Sequence, residues 1–201
     1  MSAVVSTEGV GFRYGGVPVL SGVTLGVEAG SMLAVTGPNG SGKSTLLHLL
    51  AGVESPTEGR VRRAGGARLS LLPQRTSDID ALPLTVAECV RIGRFRPLRR
   101  LGRADRLAAD TMLDRLGLAD LAGRRLRELS GGQRQRTLLA QALVQDAEVY
   151  VLDEPTAALD AASRQRVHEL LAERRAAGAA MVLASHDAAE SALADELLTL
   201  G

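Results

Sequence analysis

Apolar and polar positions divide the chain into short strands and helices that take turns. Near the amino end, "VGFRY" and "VTLGV" read as strands, each bounded by glycine or an acidic turn. "SMLAVT", residues 31–36, is a compact apolar strand, and "GPNGSG" is the turn after it. "KSTLLHLLAG" then reads as a helix that opens on Lys-Ser-Thr and closes at Gly52. "RLSLLP", residues 68–73, is another strand, stopped by Pro73. From about Asp80 to Arg127 strand periodicity is lost, and "TVAECVRIG" and "RADRLAADTMLDRLGLADL" place Ala, Leu and Met on one helical face. Between them lies a basic linker with a proline, "RFRPLRRLGR". After Gln133 the rhythm resumes with a helix to Val144, strand "VYVLD", a helix from about Ala161 to Arg175, strand "MVLAS", helix "AAESALA" and strand "ELLTL". Apolar strands alternating with helices predict an α/β fold with a mostly parallel sheet covered by helices, interrupted by a helical insertion.

Composition narrows the function classes. At 201 residues the chain sits at the upper edge of one ordinary domain and is long enough to bury a sizeable core. With no Trp, two Tyr and two Phe, that core must be packed with Leu, Ala and Val. A formal charge of +1 argues against bulk electrostatic binding of nucleic acid, so no nucleic-acid partner is expected. The single Cys89 excludes an intrachain disulfide and a thiolate cluster, which suits a reducing cytoplasm. No apolar run approaches the roughly 18 residues that span a bilayer, and the first residues lack the basic and apolar regions of a signal peptide. Among 24 basic residues only Lys43 is a lysine. Arginine fills the other cationic positions, so Lys43 stands where a compact ammonium differs chemically from a guanidinium fork.

That lysine falls in "GPNGSGKST", which matches the G-x-x-x-x-G-K-[ST] phosphate loop at Gly37, Gly42, Lys43 and Ser44. Pro38, Asn39, Gly40 and Ser41 complete the turn, and Thr45 follows it. Glycines let backbone N–H groups converge on a phosphate, and the helix that opens at Gly42 or Lys43 adds its own unpaired N–H groups. In that setting Lys43 would reach the β- and γ-phosphates of a triphosphate and Ser44 would ligate Mg²⁺. A second acidic element is needed for the metal, and "VYVLDEP" supplies Asp153 at a strand's carboxyl end, where ligands collect in parallel sheets. The chain turns there, helped by Pro155, so Glu154 can serve as general base for the attacking water. His186 ends another apolar strand and reads as a γ-phosphate contact that orients the water. Gln74 ends a third strand; it is either a water or magnesium contact or an ordinary strand-end residue. His48 and His168 lie inside helices, and three scattered histidines with one cysteine do not make a zinc site.

Taken together, "GPNGSGKST", "LPQ", "LSGGQRQR", "VYVLDEP", "AALD" and "SHD" resemble the ATP-binding subunits of ATP-binding-cassette (ABC) transporters, in the family's order from Phe12 to Gly201. The resemblance implies a P-loop ABC ATPase fold in one domain, 1–201. Its mostly parallel core and N-terminal antiparallel β subdomain would occupy about 1–79 and 137–201, with an α-helical subdomain at about 80–136. It also implies a head-to-tail dimer with two ATP molecules between the copies. Ser130, Gly131, Gly132 and Gln133 of one copy would close over the γ-phosphate held by the other. Asp160 would run along the dimer seam. Tyr14 would stack on adenine, although Phe12 lies close enough to compete for that role. Gln74 becomes, by the same resemblance, a Mg²⁺ contact and the lever that links the nucleotide to a helical subdomain docked on a membrane permease. Arg134 and Arg136 read as solvated or as packing on that subdomain. The basic linker is open to anionic lipid, to the partner or simply to solvent.

Within the family, "LLPQRTSDIDALPLTVAECVRIGRFR" resembles the zinc and manganese uptake group, which implies an extracytoplasmic solute-binding protein as an indirect partner and a peripheral position on the cytoplasmic side of the inner membrane. "EPTAALD" and an end at Gly201 depart from that group's pattern; the early end is expected to mean a minimal subunit with no regulatory extension. Heme, siderophore, cobalamin or exported substrates remain open. A non-transport cassette ATPase would carry long coiled-coil insertions or two fused cassettes, and an idle binding module would need Lys43, Asp153, Glu154 and His186 all to be unused.

Overall fold

The computed structural model describes residues 3–74 and 82–201. The chain runs β1 (Val5–Tyr14), β2 (Val17–Val27), β3 (Met32–Thr36), α1 (Lys43–Ala51), β4 (Glu58–Arg63), β5 (Leu69–Leu72), α2 (Val86–Ile92), α3 (Arg103–Arg115), α4 (Gly131–Leu143), β6 (Val149–Asp153), α5 (Ala161–Ala176), β7 (Ala180–Ala184), α6 (Ala188–Ser191) and β8 (Glu196–Thr199). It divides into two compact units. One comprises Met1–Gln74, Ala147–Glu154 and Glu173–Gly201; the other comprises Arg75–Asp146 and Pro155–Ala172.

The first unit holds both sheets. β1 and β2 form an antiparallel hairpin around Gly15-Gly16, and β4 pairs antiparallel with the other edge of β1, giving the order β2-β1-β4. The amphipathic pattern does not announce β4. Its sequence, "EGRVRR", has only Val61 half-buried, and its arginines work across the ladder: Arg60 and Arg62 both reach Glu8 on β1. The second sheet is parallel throughout, in the order β5-β6-β7-β3-β8. Its central strands are apolar on both faces, as a sheet covered on two sides requires. Leu46, Leu47, Leu49 and Leu50 of α1 lie in the same buried cluster as Val35, Val151 and Val182. Burial of each such side chain contributes roughly 1.5–3 kcal/mol. Arg175, near the end of α5, donates to the carbonyl oxygens of Gly30 and Leu193 and pairs with Asp195. Asp195 in turn accepts the Met32 N–H, so this staple fixes where β3 and β8 begin.

The second unit is helical. α2 opens on a reciprocal cap in which Thr85 Oγ1 accepts the Glu88 N–H and Glu88 Oε2 accepts the Thr85 N–H. α3 ends earlier than its apolar run suggests. Gly117 turns left-handed (φ 64°), and Arg136 Nη1 donates to the carbonyl oxygens of Leu116 (3.0 Å) and Gly117 (3.3 Å). Arg136 therefore packs on this unit. At Gly93, past the end of α2, a Cβ would collide with the Gln141 carbonyl oxygen of α4, so the glycine allows the close approach. Among the described residues no helix is long and apolar enough to cross a membrane.

Candidate active site

The phosphate loop leaves β3 at Thr36 and enters α1 at Lys43. At Gly37 the backbone has φ 144°, and a Cβ would collide with the Leu200 carbonyl oxygen and come within 2.7 Å of Ser41 Oγ. At Gly42, the residue that caps α1, φ is 96° and a Cβ would lie 2.8 Å from Leu20 Cδ2. Only glycine fits either place. No side chain caps α1, so its first-turn N–H groups remain available to an anion. Pro38, Asn39 and Gly40 form the outer part of the loop, and the Ser41 N–H donates to the Pro38 carbonyl at 3.2 Å. Lys43 is buried, and its Nζ donates to the carbonyl oxygens of Gly37 (2.8 Å) and Pro38 (3.0 Å). Its ammonium thus holds the loop wound from inside. Thr45 is buried beside it and Ser44 half-buried.

Further candidates of the same unit stand at or just past strand ends. Asp153 closes β6 and is 2% exposed. Its carboxylate is hydrogen-bonded to Ser44, yet Oδ2 is buried without a partner. Burial raises its pKa above the ordinary carboxylate value, and the Ser44 bond opposes that. Glu154 takes a left-handed backbone (φ 47°), and its N–H donates to the Ala184 carbonyl at 2.9 Å. That turn brings Glu154 Oε1 to 3.4 Å from His186 Nε2. His186 itself sits in a turn held by Ser185 Oγ, which accepts the Asp187 N–H at 3.0 Å. Gln74 stands exposed in a bend two residues past β5. Phe12 is core, 6% exposed, whereas Tyr14 at the end of β1 is 49% exposed. Their rings meet edge-on with centroids 4.7 Å apart, so the buried Phe12 backs the exposed Tyr14.

The remaining candidates lie in the second unit. Ser130 caps α4: its Oγ accepts the Gln133 N–H at 3.3 Å, and Gln133 Oε1 accepts the Ser130 N–H at 3.0 Å. Gly131 and Gly132 open the helix, where N–H groups have no intrahelical acceptor. A Cβ on Gly132 would lie 3.0 Å from the Ala158 carbonyl oxygen. Asp160 caps α5, its Oδ1 accepting the Ser163 N–H at 2.7 Å. Its bonds to Ser163, with the nearby charges of Arg136 and Arg166, hold its carboxyl below the usual range. Sequence reasoning passed over Gln135. Its Nε2 donates to the carbonyl oxygen of Pro155, the residue after Glu154, at 3.2 Å. The available signal was a polar residue on the half-buried side of a helix.

The donors suit magnesium and not a soft metal. Ser44 and Asp153 offer hard oxygens, one of them buried and unpartnered, as Mg²⁺ prefers. Among the described residues no group of three or more His, Cys, Asp or Glu is placed to hold a metal ion. Burial pushes the Cys89 thiol up to about 11, away from thiolate chemistry.

A family profile described as "ABC transporter" matches residues 20–157 of this chain. The chain belongs to the ABC transporter family. It is an ATP-binding subunit related to the metal-uptake ABC ATPases. A zinc import ATP-binding protein of Paracoccus denitrificans is 43% identical over 190 residues, covering 93% of this chain and 71% of the relative. A manganese transport system ATP-binding protein of Bacillus subtilis is 37% identical, covering 91% and 77%. A hemin import ATP-binding protein of Streptomyces coelicolor is 42% identical, covering 98% and 74%. Among solved structures, an ABC transporter in an inward-facing conformation superposes with a TM-score of 0.83 at 33% identity, covering all of this chain and 80% of that one. A bacterial ABC transporter cassette solved as a dimer superposes with a TM-score of 0.84 at 26% identity, covering 98% and 94%. The α/β fold of this ABC ATPase, with its antiparallel N-terminal sheet, parallel core sheet and helical insertion, is that of the family.

Proposed function

We propose that this ABC ATPase binds ATP with Gly37–Thr45 and hydrolyses it at an interface with a second copy of itself, driving a solute through a separate membrane permease. The observation that carries the reading is the strand-end group: Asp153 with a buried, unpartnered oxygen, followed by Glu154 on a left-handed backbone, 3.4 Å from His186. Glu154 takes a proton from water as the water oxygen bonds to the γ-phosphorus. The bond from that phosphorus to the β–γ bridging oxygen breaks, and ADP and phosphate leave. His186 steadies the Glu154 carboxylate and the γ-phosphate. Lys43 neutralises charge on the β- and γ-phosphates from the loop it already lines. Ser44 and Asp153, with Gln74, would hold Mg²⁺, which when bound offsets the charge of the phosphate oxygens. Tyr14 stacks on adenine.

Ser130, Gly131, Gly132 and Gln133 of the second copy complete the site, and Asp160 lines the seam. The unspent N–H groups at the start of α4 support this assignment, because they are donors suited to an anion. For the cargo, zinc or manganese uptake is the favoured reading, resting on relatives named for those ions. Hemin import is the second, favoured by the 42% identical relative that covers 98% of this chain. In either case the subunit works from the cytoplasmic face of the inner membrane, with a solute-binding protein outside.

Glu154→Gln tests the chemistry. It keeps the shape of the side chain but cannot accept the proton. ATP affinity by equilibrium binding should be unchanged, while phosphate release falls about a hundredfold or more and a nucleotide-bound dimer accumulates on gel filtration. Hydrolysis at the parental rate would rule out Glu154 as the base.

A further inference from the structure

α2 and α3 are joined through Arg96-Pro97-Leu98-Arg99, a tight turn closed by the Arg99 N–H on the Arg96 carbonyl at 3.2 Å. Pro97 suits the second position of such a turn, but Leu98 occupies the third with φ 64°. That conformation favours glycine or asparagine, and leucine is strained in it. Leu98 is also fully exposed, at 109%, and Phe95 and Leu107 are about two-thirds exposed, at 65% and 66%. An apolar side chain held in water on a strained backbone gains nothing from this unit's own packing.

The turn is nonetheless built to stay in place. Asp105, only 2% exposed, accepts from Arg99 Nη2 (2.7 Å), Arg94 Nε (3.2 Å) and the Gly102 N–H (2.9 Å). Arg94 also pairs with Asp146 at 2.8 Å and donates to the Val144 carbonyl at 3.1 Å, which ties the base of the turn to the end of α4. The nearby acids are spent: Asp110 pairs with Arg91, and Asp146 also takes Arg96. Arg100, Arg103 and Arg106 are exposed and have no acidic partner among the described residues. Arg103, Arg106 and Leu107 share one face of α3 by their spacing.

We propose that this turn anchors the subunit on an anionic lipid surface. Leu98 and Phe95 enter the interfacial layer, and Arg100, Arg103 and Arg106 lie among the lipid phosphates. A protruding apolar tip with cations spread around it complements a continuous anionic plane; a protein pocket would ask for acids matched one by one. The anchor goes beyond the transport reading and does not depend on it.

The test is co-sedimentation of the purified full chain with vesicles of phosphatidylcholine alone, or of equal parts phosphatidylcholine and phosphatidylglycerol. Binding is expected only to the anionic vesicles and should weaken as salt rises. Leu98→Gly fits the left-handed backbone, so it should melt no lower than the parent while binding about tenfold more weakly. Each of Arg100→Gln, Arg103→Gln and Arg106→Gln should lower binding about fivefold, the factor that corresponds to ~1 kcal/mol per cation at the surface. ATPase activity should be unchanged in all four variants. Equal binding to both kinds of vesicle, or parental binding by Leu98→Gly, overturns the proposal. So does the pattern of a protein contact, in which the variants bind anionic vesicles normally but fail to assemble with the permease.

Discussion

Glu154 shows how one residue's backbone can be held against its own preference. A non-glycine residue at φ 47° carries strain on the order of 1–2 kcal/mol. The surrounding chain supports it: β6 is buried along its whole length, and the Glu154 N–H is fixed to Ala184 on β7. In return the carboxylate leaves the strand's alternation and reaches His186. Glycine would take the same backbone without strain. Glu154→Gly is therefore expected to hydrolyse no ATP yet to melt higher than the parent without nucleotide, by up to about 1 kcal/mol in unfolding free energy. A lower melting point by calorimetry would mean that the contact with His186, and not the backbone, dominates at this position. The sequence made the turn at Pro155 legible but not its handedness. Likewise it left Phe12 and Tyr14 as rivals, because both sit on the same side of one strand and only burial separates them.

At the scale of elements, α4 does more than present glycines. Its Gln135 bonds to Pro155, and its Gly132 approaches Ala158 so closely that a methyl group would press on that carbonyl. The start of the helix is thereby packed on the segment between Glu154 and Asp160. Gly132→Ala should shift that segment by a few tenths of an ångström at a stability cost of about 1 kcal/mol or less. Nucleotide affinity of the isolated chain should hold, since the phosphate loop is in the other unit, while ATP turnover falls. Turnover at the parental rate would show that this packing is not needed. What was legible here follows from periodicity. β6 and β7 are buried throughout and β3 at all but its last residue, Thr36, and all three read as apolar runs bounded by turn residues. β4 was not legible, because an exposed edge strand held by Arg–Glu pairs has almost no apolar pattern to read. The end of α3 was missed for a different reason. The apolar spacing continues through Leu116 and Leu118, and only the left-handed Gly117, capped from α4 by Arg136, breaks the helix.

For the whole molecule, the notable fact is division. Lys43, Asp153, Glu154 and His186 belong to one compact unit, and Ser130 to Gln133 with Asp160 belong to the other. Each half was legible as a motif, because each depends on a few residues at fixed spacing. How the halves combine was implied only by the family resemblance, because no periodicity within one chain encodes the second copy that we propose completes the site. Head-to-tail completion makes a sharp prediction. A chain with Lys43→Ala loses the phosphate contact, and a chain with Ser130→Arg loses the closing surface, so each alone should be inactive. In a mixed dimer the two defects fall on the same site, and the other site has Lys43 from one chain and Ser130 from its partner. Equal mixing with random assortment makes half of the dimers mixed, each with one intact site, so ATPase activity should recover to about a quarter of the parental value. If each chain instead completed its own site, the mixture would stay inactive at every ratio. A titration of one variant into the other, read by phosphate release, separates the two: recovery that peaks at equal amounts requires a site shared between copies.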